Sequence, residues 1–209
     1  AVAIGLARCY GRWLHLCHVS RADEIALIRA TKASGAAVTC EVAPHHLFLT
    51  EADGRRLGPY GAMKPPLGTP ADVAALWDNL DVVDCIATDH APHNVIDKEV
   101  EFDLAPPGMI GLETAFALLN TRLVQTGAME LIDLIRLLTS NPASVLSLPG
   151  GRMLKGEKAD LVLLDPEAKW VVERAKLRSK SKNTPLLGIE LVGRALGVFL
   201  EGKWINVVP

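Results

Sequence analysis

The stretch Asp84-Cys85-Ile86-Ala87-Thr88-Asp89-His90-Ala91-Pro92-His93 constrains this chain more than any other. A short apolar run stops abruptly in one carboxylate and two imidazoles. Such a run reads as a buried strand, and the proline marks the turn that leaves it. Trp13-Leu14-His15-Leu16-Cys17-His18-Val19-Ser20 has the same form and closes on His18. Polar groups at the carboxyl ends of buried strands are where α/β barrels and open α/β sheets build their sites. Two such strands ending in metal-competent residues point to a metal site at the mouth of a barrel.

The segments between and around them fit that frame. Strands are expected over 13–19, 37–42 and 83–88. Between the first two lies a helical pattern opened by the capping-box-like Ser20-Arg21-Ala22-Asp23 and closed by Gly35. A loop rich in glycine and proline (Gly58, Gly61, Pro65, Pro66, Gly68) precedes a helix over 70–80. Strands alternating with crossover helices imply parallel pairing and a right-handed α/β arrangement. Helices are then expected over 111–126, 131–139 and 142–148. From Gly150 the pattern changes to strands, one over 158–165 and a hairpin over 191–203, so the chain divides into 1–149 and 150–209. The basic stretch 174–182 reads as a solvated loop.

Composition narrows the function classes. Among 209 residues, 49% are hydrophobic and 22% charged, as in an ordinary globular protein, and the formal net charge is −2. No basic field points to nucleic acid or an anionic membrane surface. No run reaches the roughly 18 apolar residues that a membrane span needs. The apolar opening 1–7 is ended by Arg8 and has no basic region before it, so a signal peptide is not expected. Cys9, Cys17, Cys40 and Cys85 show no paired CxxC spacing. Three of them lie in strand-like runs and read as small buried hydrophobes in a reducing cytoplasm. The absence of an initial Met and the early core-type strand suggest the remainder of something longer.

Alternation along a strand puts Leu14, Leu16 and His18 on one face and His15 and Cys17 on the other; Cys85, Ala87 and Asp89 share a face. If these faces line a barrel interior, His18 and Asp89 project at its mouth. Imidazole and carboxylate suit zinc and related divalent ions, and a carboxylate beside such an ion also serves as a general base toward water. His15 reads as a hydrogen-bonded core histidine. His18 fits that reading and the ligand reading equally. Asp89 needs a partner or an ion, because a carboxylate after a buried strand is costly uncompensated. A helix cap would be the alternative, but no helical pattern opens at Ala91-Pro92-His93.

These residues carry a family resemblance. The segments 15–20 (His-Leu-Cys-His-Val-Ser), 40–47 (Cys-Glu-Val-Ala-Pro-His-His-Leu), 87–93 (Ala-Thr-Asp-His-Ala-Pro-His) and 106–114 (Pro-Pro-Gly-Met-Ile-Gly-Leu-Glu-Thr) resemble, in order and spacing, the dihydroorotases of the metal-dependent amidohydrolase superfamily. Val198-Phe199-Leu200-Glu201-Gly202 resembles the closing strands of that family's small β-domain.

The resemblance implies a partial TIM-type (β/α)8 barrel, its last three strands with their helices over 1–149, then part of a small β-sandwich over 150–209. It implies one or two zinc ions bound by His18 and Asp89, with Asp89 also moving a proton to the departing amide nitrogen. His93, Pro107 and Gly108 would hold the substrate, dihydroorotate or N-carbamoyl-aspartate. Lys64 would do so too, as a point charge where the family usually has Asn or Arg. His45 and His46 belong to the signature as structural hydrogen-bonding residues. The family's His-x-His pair, carboxylated Lys and further His have no counterpart here, so this chain alone is expected to be inactive and its open sheet edge aggregation-prone. Homo-oligomers and association with aspartate transcarbamoylase are implied for the full-length protein. Three rivals stand beside this reading: another cyclic amidohydrolase (allantoinase or dihydropyrimidinase), a non-catalytic scaffold, and a structural α/β domain whose His18 and Asp89 are core polar residues.

Overall fold

A computed structural model describes residues 1–207 of the chain. The chain forms two compact units: Ala1–Gly111 with Ser179–Pro185, and Leu112–Arg178 with the chain from Leu186 onward.

The first unit runs α1 (Val2–Cys9), β1 (Leu14–Leu16), α2 (Ala22–Ala33), β2 (Val38–Val42), α3 (Pro44–Phe48), α4 (Glu51–Leu57), α5 (Pro70–Trp77), β3 (Cys85–Ile86) and the single turn α6 (Val95–Lys98). Its sheet is parallel in the order β1-β2-β3, with His15 opposite Thr39, Leu16 opposite Cys40, and Glu41 opposite Cys85. In central β2 every residue but Thr39 is buried, as a two-sided parallel strand requires. β1 has one neighbour and is only half-buried. For that reason Cys17, expected inside, is exposed, while Cys40 and Cys85 are buried.

The strands are shorter than the apolar runs suggested, because each ends where the backbone turns. Bonds from Val19 N to Glu41 O (2.9 Å) and from Ala87 N to Val42 O (3.1 Å) continue the ladder past the strand ends. α2 starts later than the capping pattern implied. Glu24, not Asp23, accepts the orphan backbone N–H groups of Ser20 and Arg21, at 3.1 Å each. The buried residues of α2, Ile25, Ile28 and Thr31, follow a helical period. α5 opens with Thr69 and Asp72 in a capping box, and Asp72 also accepts from Ala22 N at 2.9 Å. α3 and α4 fall where the sequence offered a signature and a loop. Pro44 at the first position of α3 and Asp53 at the start of α4 are their start signals. α6 opens at Asn94, so Asp89 caps no helix.

At the amino ends of the strands, Lys32 Nζ donates to Val82 O (2.6 Å) and pairs with Asp84 Oδ2 (2.5 Å). The same oxygen accepts from Cys40 N at 2.7 Å.

In the second unit, α7 (Ala115–Leu119) widens into a π-helical turn over Asn120–Val124. α8 (Leu131–Leu138) and α9 (Ser140–Val145) follow, then β4 (Leu161–Val171), β5 (Glu190–Leu200) and β6 (Lys203–Asn206) in an antiparallel sheet of order β4-β5-β6. Leu119, Leu123, Leu134, Val172 and Leu191 form its core. The one helix expected over 111–126 is therefore later and interrupted. Gly111 N donates to His90 Nδ1, and the fully buried Asn120 amide donates to Pro166 O and Val192 O, at 2.9 Å each, where the turn widens. β4 starts later than the expected 158–165 and runs beyond it, with register shifts between Leu163 and Leu164 and across Pro166, between Asp165 and Lys169. The hairpin is as read: Glu201 and Gly202 both have positive φ, the two-residue turn that matches strand twist. The basic stretch is exposed at Arg174–Lys176, but its end turns inward at Asn183 and Thr184. Among the described residues no helix is long and apolar enough to cross a membrane.

Candidate active site

At the carboxyl ends of β1 and β3 the backbone does something costly. His18 (φ 54°) and Asp89 (φ 47°) both lie in the left-handed region, although neither is glycine. Each such residue costs about 1–3 kcal/mol and persists only where its surroundings over-determine it, which is typical of functional sites.

The register explains what the turn at His18 accomplishes. Strict alternation carries His15, Thr39, Glu41 and Cys85 on one face, so parity alone would send His18 to the opposite side. The left-handed residue overrides parity. His18 Nδ1 lies 3.0 Å from Glu41 Oε1, and His15 Nε2 lies 3.2 Å from Glu41 Oε2. One carboxylate thus stands between both imidazoles, and the face separation expected from the sequence is corrected. His18 Nε2 is 3.6 Å from Asp89 Oδ1, and His45 Nε2 is 3.8 Å from Asp89 Oδ2.

These contacts are close but unsatisfied. His18 Nδ1 and His45 Nε2 are buried atoms without a hydrogen-bond partner, the Glu41 contact being out of line for one. Burial, with His46 and His18 nearby, pushes the His45 imidazole down to about 3, so it is neutral. His46 is held by Pro65 O at 3.1 Å, as a structural histidine should be, whereas His45 has no such bond at Nε2. A buried, neutral His45 imidazole with no partner at Nε2, beside the half-buried His18 imidazole and Asp89 carboxylate, is a donor set that fits a divalent cation.

Beneath them His15, Glu41 and Cys85 each bring a potential ligand atom within 4.8 Å of the others. Both nitrogens of His15 are already engaged, Nδ1 with Thr39 Oγ1 at 2.8 Å and Nε2 with Glu41. Burial, then the Glu41 charge, pushes the Cys85 thiol up to about 12. In this group His15 and Glu41 are thus committed to each other and to Thr39, and Cys85 adds a buried thiol.

Three of the residues that the resemblance assigns to substrate, His93, Pro107 and Gly108, also come together. His93 Nε2 lies 3.0 Å from Pro107 O. Gly108 has φ 121°, and a Cβ there would meet Ala91 Cβ at 2.5 Å, so only glycine fits. The Gly108 N–H is already spent on Ala62 O at 2.8 Å. Lys64, two residues beyond Ala62, is exposed and is not drawn to His18, Asp89 or His93 by any hydrogen bond among the described residues. Asn183 was not legible as part of this region. Its amide donates to Ala91 O (2.9 Å) and Gly108 O (3.1 Å), and its Oδ1 accepts from His93 N (3.2 Å).

Comparison with known proteins gives the chain's family. The model of the amidohydrolase family matches residues 14–205. The chain belongs to the amidohydrolase family. Members of this family are generally metal-dependent. The chain is 46% identical to the dihydroorotase of Syntrophotalea carbinolica over 192 residues, covering 91% of this chain and 45% of that protein. It is 45% identical to the multifunctional protein CAD of Squalus acanthias, over 97% of this chain and 9% of that protein. The L-hydantoinase (dihydropyrimidinase) of Arthrobacter aurescens superposes with a TM-score of 0.91 at 30% identity, covering 98% of this chain and 47% of that one. The chain thus spans less than half the length of these relatives.

Proposed function

We propose that this chain is the carboxyl-terminal part of a cytoplasmic dihydroorotase, which reversibly hydrolyses the cyclic amide of dihydroorotate to N-carbamoyl-aspartate in pyrimidine biosynthesis. The observation that carries the reading is the pair of left-handed residues, His18 and Asp89, following the two parallel strands that flank central β2, with unsatisfied imidazole nitrogens around them. Residues 1–149 supply the last three strands and helices of a TIM-type barrel, and 150–209 supply part of a flanking β-sandwich. His18 and Asp89 hold zinc, one or two ions, with ligands contributed from outside these residues. When bound, zinc supplies the Lewis acidity that makes water a nucleophile near neutral pH.

The chain's own groups do the rest. Asp89 takes the proton from the attacking water and delivers it to the amide nitrogen as the ring C–N bond breaks. Glu41 and His45 flank His18 and Asp89, at 3.0 and 3.8 Å, and shape the electrostatic surroundings of the pair. His93 binds the substrate carboxylate, Lys64 adds a positive charge toward it, and Pro107 and Gly108 contact the ring. The full-length protein forms homo-oligomers and associates with aspartate transcarbamoylase.

The test is turnover and zinc content of the complete polypeptide containing this segment, beside its His18→Ala variant. Hydrolysis of dihydroorotate that the variant loses together with zinc is expected. Hydrolysis of hydantoins or allantoin without dihydroorotate would overturn the substrate. Residues 1–209 alone, given zinc, are expected to show no turnover above the same variant.

A further inference from the structure

We infer that Asn183 is a positioning residue that sets the distance between the His93 imidazole and the Gly108 backbone; this rests on the reading that His93, Pro107 and Gly108 hold the substrate. Asn183 is only 3% exposed, and it reaches the site from a segment distant in sequence that packs back into the first unit.

Its side-chain amide and its backbone carbonyl reach both of the loops concerned. Nδ2 spends both protons, one on Ala91 O and one on Gly108 O. Oδ1 accepts from His93 N, and the Asn183 carbonyl accepts from Ile110 N at 3.0 Å. One side chain therefore ties the turn after Asp89 to the loop carrying Pro107 and Gly108. Ser181 adds a second grip: its hydroxyl is within reach of the His93 carbonyl and of Asn183 Oδ1, its single proton serving one of them.

Only a primary amide fits this position. Two donors face two carbonyls and an acceptor faces an N–H, which Asp, Ser or Ala cannot reproduce. A buried amide whose donors and acceptor are all used fixes its neighbours more rigidly than any single bond would. Here the neighbours are substrate contacts, while Asp89 itself is not bonded to Asn183. Loss of Asn183 should therefore weaken substrate binding and leave the proton transfer at Asp89 nearly intact.

The experiment uses the complete polypeptide with zinc bound and dihydroorotate as substrate. Asn183→Ala is expected to raise KM about tenfold or more, with kcat within about threefold and zinc content unchanged. Ser181→Ala, a smaller change that spares the fold, is expected to raise KM about threefold. A residue serving the fold alone would lower the active fraction, and so kcat, without moving KM. An unchanged KM in Asn183→Ala, or in Ser181→Ala should the first variant not fold, would overturn the inference. A wild-type protein that turns over another cyclic amide but not dihydroorotate would overturn the substrate reading instead. The same two variants measured on that amide would then decide the inference.

Discussion

The two ends of the same three parallel strands handle charge in opposite ways. At the amino ends Asp84 is saturated by Lys32 Nζ at 2.5 Å and Cys40 N at 2.7 Å, and its backbone needs no unusual conformation. Five residues later, at the carboxyl end, Asp89 faces His18 and His45 at 3.6 and 3.8 Å, too far for hydrogen bonds, on a left-handed backbone. A carboxylate surrounded by satisfied partners serves the fold. One surrounded by close, unpaired ligand atoms on strained backbone is held ready for something else. The contrast separates structural from functional carboxylates on one strand without appeal to sequence identity.

The sharpest way to break this comparison is to exchange the two losses. Asp89→Asn in the complete polypeptide should cut kcat/KM by about 10²–10⁴-fold or more, the usual range for removing a proton-transfer group, with no loss in Tm when both proteins are compared free of metal. Asp89→Gly, which also relieves the positive φ, should match that loss and raise the stability of the metal-free protein by about 1 kcal/mol in denaturant unfolding. If Asp89→Asn lowered Tm markedly while kcat/KM per folded molecule stayed near wild type, the contrast would be void.

Asp84→Ala should do the reverse. It leaves a part-buried lysine and a backbone N–H without their acceptor, at a cost of about 1–3 kcal/mol. Its kcat/KM per folded molecule should stay within about threefold of wild type.

The smallest effect sharpens the structural side. Asp72 is another saturated carboxylate, held below the usual carboxylate range first by the Ala22 N–H and then by the Thr69 hydroxyl. Because its folded pKa is depressed, its contribution is present above the unfolded value near 3.8 and is lost as pH falls through the folded value. Chemical denaturation at stepped pH should show an acid-side slope that is shallower in Asp72→Asn. Equal slopes would remove Asp72 from the saturated class.

Much of the saturated architecture was legible in the sequence. The alternation of strand and helix, the continuous burial of β2, and the Glu201-Gly202 turn are local patterns, and local patterns survive folding. The strand-end residues His18 and Asp89 were legible as chemistry but not as geometry. Parity assigned His18 by counting, and one left-handed residue cancels a count. The roles of Glu41 and His45 depend on register between strands, which no single run of sequence records. Asn183 was hidden for another reason: it sits at the end of a basic, loop-like stretch, and nothing local distinguishes an amide that will be buried from one that will not. The π-helical turn at Asn120 escaped for the same cause, since its carbonyl partners at Pro166 and Val192 lie far along the chain.

The return of Ser179–Pro185 to the first unit also has a consequence for the order of synthesis. The strands that end in His18 and Asp89 leave the ribosome before the rest of their unit is complete, because the amide that ties the turn after Asp89 to the loop of Pro107 and Gly108 emerges roughly seventy residues after Gly111, a delay of several seconds at translation rates of about 5–20 residues per second. Through that interval the nascent unit carries its sheet without its last tie. A chain stopped before Asn183 would keep the strand-end residues and lose the hold on the loops around them.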